Sequence, residues 1–134
     1  MKKSFGLAAA LGLVLGAVPV FAHHSFAAEF DGSKKITLTG VVTKVDWVNP
    51  HAYIYVDVKN PDGTVTNWGL ETGAPNALYR QGWRKADLKV GDTVTLDAFP
   101  AKDGSHTAAA RELKLPDGRK VFAGTPNSTP NEQK

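Results

Sequence analysis

Two adjacent histidines, His23 and His24, directly follow a segment with the pattern of a secretory signal. The first residues, MKKSFGLAAALGLVLGAVPVFA, combine two lysines, a long uncharged apolar run and a small final residue, Ala22. This pattern predicts export and cleavage after Ala22, with removal of residues 1–22. The alternative is an uncleaved membrane anchor, but the apolar run is short for a bilayer whose hydrocarbon core is about 30 Å thick.

Cleavage after Ala22 would give His23 a free amine beside its imidazole. These two groups can chelate Cu(II), which favours nitrogen ligands, and a second imidazole would complete a three-nitrogen site. His51 and His106 are the candidate distant partners, whereas His24 is too near to His23 to complete the site easily. If cleavage fell one residue earlier, His24 would be third from the amine, a position that also chelates Cu(II) through backbone amides. The sequence therefore predicts a copper site at His23, His24 and His51, against the alternative of a solvated histidine pair.

His51 lies in WVNPHAY, where Asn49 and Pro50 predict a turn between two strands and Trp47 and Tyr53 flank it. A histidine and aromatic residues on a proline-constrained loop are typical of sites carried by a rigid scaffold. The alternative is a structural histidine that caps the turn and stacks on Trp47. His106, in the predicted loop KDGSHT, is interpreted as exposed and without a partner.

Four further residues are candidates for binding, although core packing is the main expectation for the tryptophans. Glu71 has the opposite strand phase to Trp68 and could approach outer residues of the preceding strand, as a ligand or hydrogen-bond partner of His51. The alternative for Glu71 is a surface carboxylate. The candidate binding residues are Trp47, Asn49, Trp68 and Glu71.

Charge and cysteine content exclude several classes of function. Of the 16 basic residues, two lysines lie in the predicted signal, which leaves 14 against 13 acidic residues and a net charge of +1. A domain with this net charge lacks the excess of positive charge that binding to nucleic-acid phosphates requires. The chain has no cysteine, which excludes thiolate metal sites and thiol chemistry. The style of the signal indicates a periplasmic location.

Catalytic constellations are missing from the sequence. It contains no nucleophilic serine motif, no HExxH, no useful carboxylate pair and no phosphate-binding loop. This favours a binding module over an enzyme. The partner would be a small ligand or another periplasmic protein. The alternative is an accessory domain that acts only through protein contacts.

Hydrophobic alternation and turn residues predict strands with one short helix. Pro75 fits a first helical turn, and Gly82 fits a helix end. Leu78 and Trp83 would attach this helix to the sheet. The predicted elements are strands at 36–48, 52–59, 64–72 and 108–115, a turn followed by a strand within 88–99, a short final segment at 120–124, and the helix within 73–82.

Three strands, a short helix and two or three further strands predict an all-β domain, a small OB-like five-stranded β-barrel. The alternative is an open β-sandwich or roll. Within the first strand the apolar phase changes at Gly40, which predicts a bulge or a sharp bend there. The predicted organisation is a lead-in at 23–35, the barrel at 36–124 and a disordered tail at 125–134.

Five segments resemble the domain of unknown function 6152 family: HHSFAAEFD, VNPHAYIYVDV, NWGLETGAPNALYRQGW, LKVGDTVTLDAFPAKDG and LPDGRKVFAG. The resemblance extends from His23 to Gly124, and the HHSF and VNPHA segments make it specific. It implies a secretion signal and a compact β-rich domain, and it assigns no activity. The family pattern includes the histidine pair and the histidine after Asn-Pro, which correspond here to His23, His24 and His51.

Overall fold

The computed structural model describes residues 26–124. The predicted signal, His23, His24 and the predicted tail therefore lie outside the described residues. In the described part the chain forms six strands and two short α-helices, with a 3-10 turn at Lys85–Asp87. The elements are α1 (Phe26–Glu29), β1 (Ile36–Asp46), β2 (Tyr53–Lys59), β3 (Val65–Glu71), α2 (Pro75–Arg80), β4 (Thr93–Pro100), β5 (Thr107–Lys114) and β6 (Lys120–Phe122).

Strands β1 to β5 form a closed barrel. The strand order is β3-β2-β1-β4-β5-β6, and a parallel pairing of β3 with β5 joins the two sides. Strand β1 is long enough to pair with two neighbours: Ile36–Val41 pair with β4, and Val41–Asp46 pair with β2. The connection from β3 to β4 contains α2. The predicted all-β, OB-like five-stranded barrel is confirmed, and the structure is not the open sandwich or roll.

The core fills the barrel interior with inward-facing side chains from every barrel strand. Helix α2 begins with Pro75 in its first turn, and Gly82, at a φ of 95° that favours glycine, follows its end. The chain then turns back so that the Trp83 amide donates to the Leu78 carbonyl at 3.0 Å. Leu78 and Trp83 are both fully buried in the core, which confirms that they attach the helix to the sheet.

The bulge in β1 lies after Val42, so the prediction of a bulge at Gly40 was wrong. The change of pairing partner from β4 to β2 does fall next to Gly40, at Val41. Leu38, Gly40 and Val42 continue one buried phase, and Val41 points outward. The register between β1 and β2 shifts only between Val42 and Lys44, after which Val45 packs against the core. Sequence alternation could not locate the shift because a glycine has no side chain to mark its face.

Gly40 is required by a close approach of two strands. A Cβ atom at this position would lie 2.6 Å from the Asp57 carbonyl oxygen of β2. Backbone cannot yield as a flexible side chain does, so any side chain here would push β1 away from β2. Gly69 is a useful contrast, because a Cβ there would meet only the Tyr55 ring at 3.4 Å.

We expect Gly40→Ala to lower the free energy of unfolding by about 1–3 kcal/mol, the usual cost of overpacking. Gly69→Ala is the matched control in β3. It should change stability by no more than about 1 kcal/mol, and in the stabilising direction, because alanine loses less backbone entropy on folding. Urea denaturation of both variants measures the difference. Equal stabilities of the two variants would contradict the close approach at Gly40.

Candidate functional site

His51 is held at the start of β2 by backbone bonds that extend the β2–β3 ladder beyond its last paired residues. The Ala52 amide donates to the Gly73 carbonyl at 3.1 Å, and the Thr72 amide donates to the Ala52 carbonyl at 2.9 Å. The Thr72 hydroxyl is buried and lies 3.0 Å from the same Ala52 carbonyl. These bonds join the backbone next to His51 to the backbone after β3, so the sheet sets the position of the His51 ring.

The Nδ1 atom of His51 lies 3.1 Å from the Thr72 carbonyl oxygen. A carbonyl oxygen can only accept a hydrogen bond, so Nδ1 carries the proton in this contact. In the neutral ring the Nε2 atom then holds the free lone pair. A backbone carbonyl bound to one ring nitrogen is the arrangement that commonly orients the other nitrogen for metal binding or proton transfer.

Glu71, at the end of β3, lies beside His51. Its Oε1 atom is 3.7 Å from His51 Nδ1, and its Oε2 atom accepts a hydrogen bond of 3.2 Å from the Tyr53 hydroxyl. Glu71 and Tyr53 are directly paired across β2 and β3 on the outer face of the barrel. The Glu71 side chain is only 17% exposed. The three residues therefore form a compact polar cluster, which we call the His51–Glu71 cluster.

Burial sets the electrostatics of this cluster. Burial raises the pKa of the Glu71 carboxyl above its usual value, and the nearby charge of Glu29 raises it further. The charge of His51 and the Tyr53 hydrogen bond lower the same pKa but do not outweigh burial. Burial and the Glu71 carboxylate together raise the pKa of Tyr53 to about 12, so its hydroxyl stays protonated as a donor.

An apolar row of outer residues connects this cluster to the N-terminal segment. Glu71 pairs with Ala109 of β5, which pairs in turn with Phe99 of β4. Phe26 and Phe30 of the N-terminal segment pack on this row, and the Phe26 and Phe99 rings meet edge to face at 5.6 Å. The segment around α1 therefore covers the outside of the barrel next to the cluster.

Backbone bonds hold this N-terminal segment in place. The Lys102 amide donates to the Glu29 carbonyl at 2.9 Å, and the Asp31 amide donates to the Pro100 carbonyl at 2.9 Å. The Lys102 ammonium also donates to the Ala27 carbonyl. The first described residues are thus fastened to the end of β4 and to the loop that follows it.

The other candidate residues make contacts of their own. Trp47 packs on Trp83 with ring centroids 6.4 Å apart, and Asn49 is exposed, with a cis peptide bond to Pro50. Trp68 faces the opposite side of β3 from Glu71 and contacts the ring of His106 at 5.3 Å. The interpretation of His106 as a residue without a partner was wrong, because strand pairing brings its loop against β3.

Sequence reasoning paired Glu71 with His51 but did not single out Tyr53, Thr72 or Glu29. The outward phase of Tyr53 in β2 was visible, but its partner depends on the register of the hairpin. Among residues 26–124, no group of three or more His, Asp and Glu side chains is arranged to hold a metal ion. His51 is the only residue of the predicted copper site that the structure describes.

We expect Glu71→Gln to raise the melting temperature of the metal-free protein at pH 7. A carboxyl with a raised pKa favours folding when protonated, so this contribution is complete below the ordinary value of 4.5 and is lost as the pH rises through the native pKa. The advantage of the glutamine variant should therefore shrink toward pH 4.

Thermal unfolding at several pH values measures this difference. Glu112→Gln, which alters a half-exposed carboxylate on β5, is the control and should change the melting temperature little at any pH. A glutamine variant less stable than the parent at pH 7 would mean that His51 and Tyr53 outweigh the cost of burial.

Within residues 26–124 no helix has the length and apolar character needed to cross a bilayer.

Comparison with known proteins identifies the family of this chain but assigns no activity to it. The comparison with curated proteins found no match. The family of unknown function DUF6152 matches residues 10–110, which include His51, Glu71 and the first four barrel strands. With three quarters of its length in that match, the chain belongs to the DUF6152 family.

Proposed function

We propose that this protein is an exported, periplasmic binding domain that takes up one Cu(II) ion at its mature N-terminus. The amine and imidazole of His23 would provide two nitrogen ligands, and His51 would provide the third from the barrel. His24 is the candidate for an additional ligand. No catalytic role is included in the proposal, because the sequence contains none of the recognised catalytic motifs.

The orientation of His51 is the observation that carries this proposal. The hydrogen bond from Nδ1 to the Thr72 carbonyl leaves Nε2 as the coordinating nitrogen, already held by the sheet. A fixed ring loses little conformational entropy on binding a metal ion. The Glu71 carboxylate, 3.7 Å from Nδ1, supplies a negative charge that favours a cation beside the ring.

The N-terminal segment supports the same proposal by its position. Phe26 packs on the outer row that leads to Glu71, and Glu29 is close enough to raise the pKa of the Glu71 carboxyl. His23 is three residues before Phe26, so covalent geometry limits its distance from Phe26 to about 11 Å. A copper site shared by His23 and His51 requires His23 to stay close to the barrel. Its covalent attachment to a segment that is held on the barrel would meet this requirement.

The choice of copper rests on the donor set. An amine and imidazoles are nitrogen donors, and among divalent first-row ions Cu(II) binds such sites most tightly. The absence of cysteine removes the sulfur ligands that would favour Cu(I) or structural zinc sites.

The test compares the chain beginning at His23 with the same chain carrying one extra glycine before His23. We expect one Cu(II) per protein, and we expect the glycine to weaken binding at least about tenfold because it removes the His23 amine from the chelate. His51→Ala should also weaken binding at least about tenfold. His106→Ala is the matched control and should bind as the parent does. Competition titration and electron paramagnetic resonance measure affinity and nitrogen ligation.

Two results would overturn the proposal. One is micromolar or weaker binding that is indifferent to both changes, with His51→Ala folded by circular dichroism. The other is tight binding that needs the amine but not His51, which would remove the barrel from the site. Mass spectrometry of the protein exported by its own signal gives the true N-terminus and any bound metal together. An N-terminus at Ala22 would make His24 the third residue and would contradict the role of His23.

A further inference from the structure

A cleft lies between β3, the β4–β5 loop and the residues after α1, and Trp68 lines it from the face of β3 opposite to Glu71. Its volume is about 330 Å³, at the lower end of the range for small-molecule sites. We call it the Trp68 cleft. The residues that matter for its chemistry are Lys34, Trp68, Lys102, Gly104, Ser105 and His106.

Two aromatic rings form one wall of the cleft. Trp68 is only partly buried on β3 and packs against the core. The exposed imidazole of His106 lies 5.3 Å from it, tilted by 56°. Both rings line the cleft, and an aromatic face can pack against the ring of a ligand.

The loop that carries His106 is preformed. The Gly69 amide of β3 donates to the His106 carbonyl at 3.0 Å, which ties the loop to the strand that carries Trp68. Within the loop, the Ser105 amide donates to the Asp103 carboxylate at 2.8 Å. The Ala101 amide donates to the Thr107 carbonyl at 2.9 Å across the base of the loop. Preorganisation of this kind lowers the entropic cost of binding.

The charges around the cleft favour an anion. Lys34 and Lys102 line the cleft together with Asp31, whose Oδ1 atom already accepts hydrogen bonds from the Ser33 amide and hydroxyl. The Lys102 ammonium donates to the Ala27 carbonyl, and the Asp103 carboxylate of the same loop accepts from the Ser105 amide, so Lys34 is the cation that matters here. Among residues 26–124, Lys34 has no carboxylate within ion-pair distance. Its ammonium is therefore free to meet a negative group on a ligand.

We infer that the Trp68 cleft binds a small organic carboxylate carried on a single ring, with the ring against Trp68 and the carboxylate beside Lys34. A sugar acid and an aromatic acid share this chemistry. This site is independent of the proposed copper site, because Trp68 and Glu71 lie on opposite faces of β3. An apolar ligand is disfavoured by the lysine rim, and a polyanion is disfavoured by the near-neutral net charge of the mature chain.

The test is a titration of the ¹⁵N-labelled protein, kept metal-free with a chelator, with glucuronate, benzoate and glucose. We expect saturable shifts of the Trp68 indole and of the Gly104 and Ser105 amides with at least one carboxylate. An open site with one ion pair suggests a Kd of about 1 mM. The carboxylate that binds more tightly identifies the source of the ligand, and glucose should bind at least about fivefold more weakly.

The variants use exposed residues, since Trp68 also supports the core. Lys34→Gln should raise the Kd about threefold or more through loss of the ion pair, and His106→Ala should do the same through loss of the aromatic wall. Lys59→Gln, at the exposed end of β2, is the matched control and should bind as the parent does. The inference is overturned if neither carboxylate saturates, if glucose binds equally well, or if Lys34→Gln binds like Lys59→Gln.

Discussion

The parallel pairing of β3 with β5 is the constraint on which the rest of the structure depends. Only three residue pairs form it, Gly69–Glu71 against Thr107–Ala109, yet it closes the barrel. Leu70 and Ala108 point into the core at this seam and are completely buried. Because neighbouring residues of a strand alternate between faces, the same three pairs set Glu71 and Ala109 on the outside.

The two candidate sites lie at opposite ends of this seam. At the end of β3, the chain continues through Thr72, whose carbonyl accepts a hydrogen bond from His51 Nδ1 and whose hydroxyl is buried against Ala52. At the start of β5, the carbonyl of His106 is tied to Gly69, which puts the imidazole against Trp68. A slip of one residue in this pairing would exchange the inner and outer faces and would remove both arrangements.

Small residues on β5 allow the outer face to be covered. Ala109 leaves room for Phe26 and Phe30 to pack beside Phe99, so the N-terminal segment lies flat on the barrel. This packing places Glu29 near Glu71, and the negative charge of Glu29 contributes to the raised pKa of the Glu71 carboxyl. The same coverage holds the N-terminal segment beside Glu71, the neighbour of His51, and this position supports the copper proposal.

The sequence by itself determined the strands, the helix after β3 and the barrel class, because alternation, Pro75 and the turn glycines are local signals. It also singled out His51 and Glu71. Only the tertiary structure decided the bulge after Val42, the protonated nitrogen of His51, the contact of Tyr53 with Glu71 and the meeting of Trp68 with His106. These features depend on which residues face each other across strands. That register follows from closing the whole barrel around one core, which no local pattern contains.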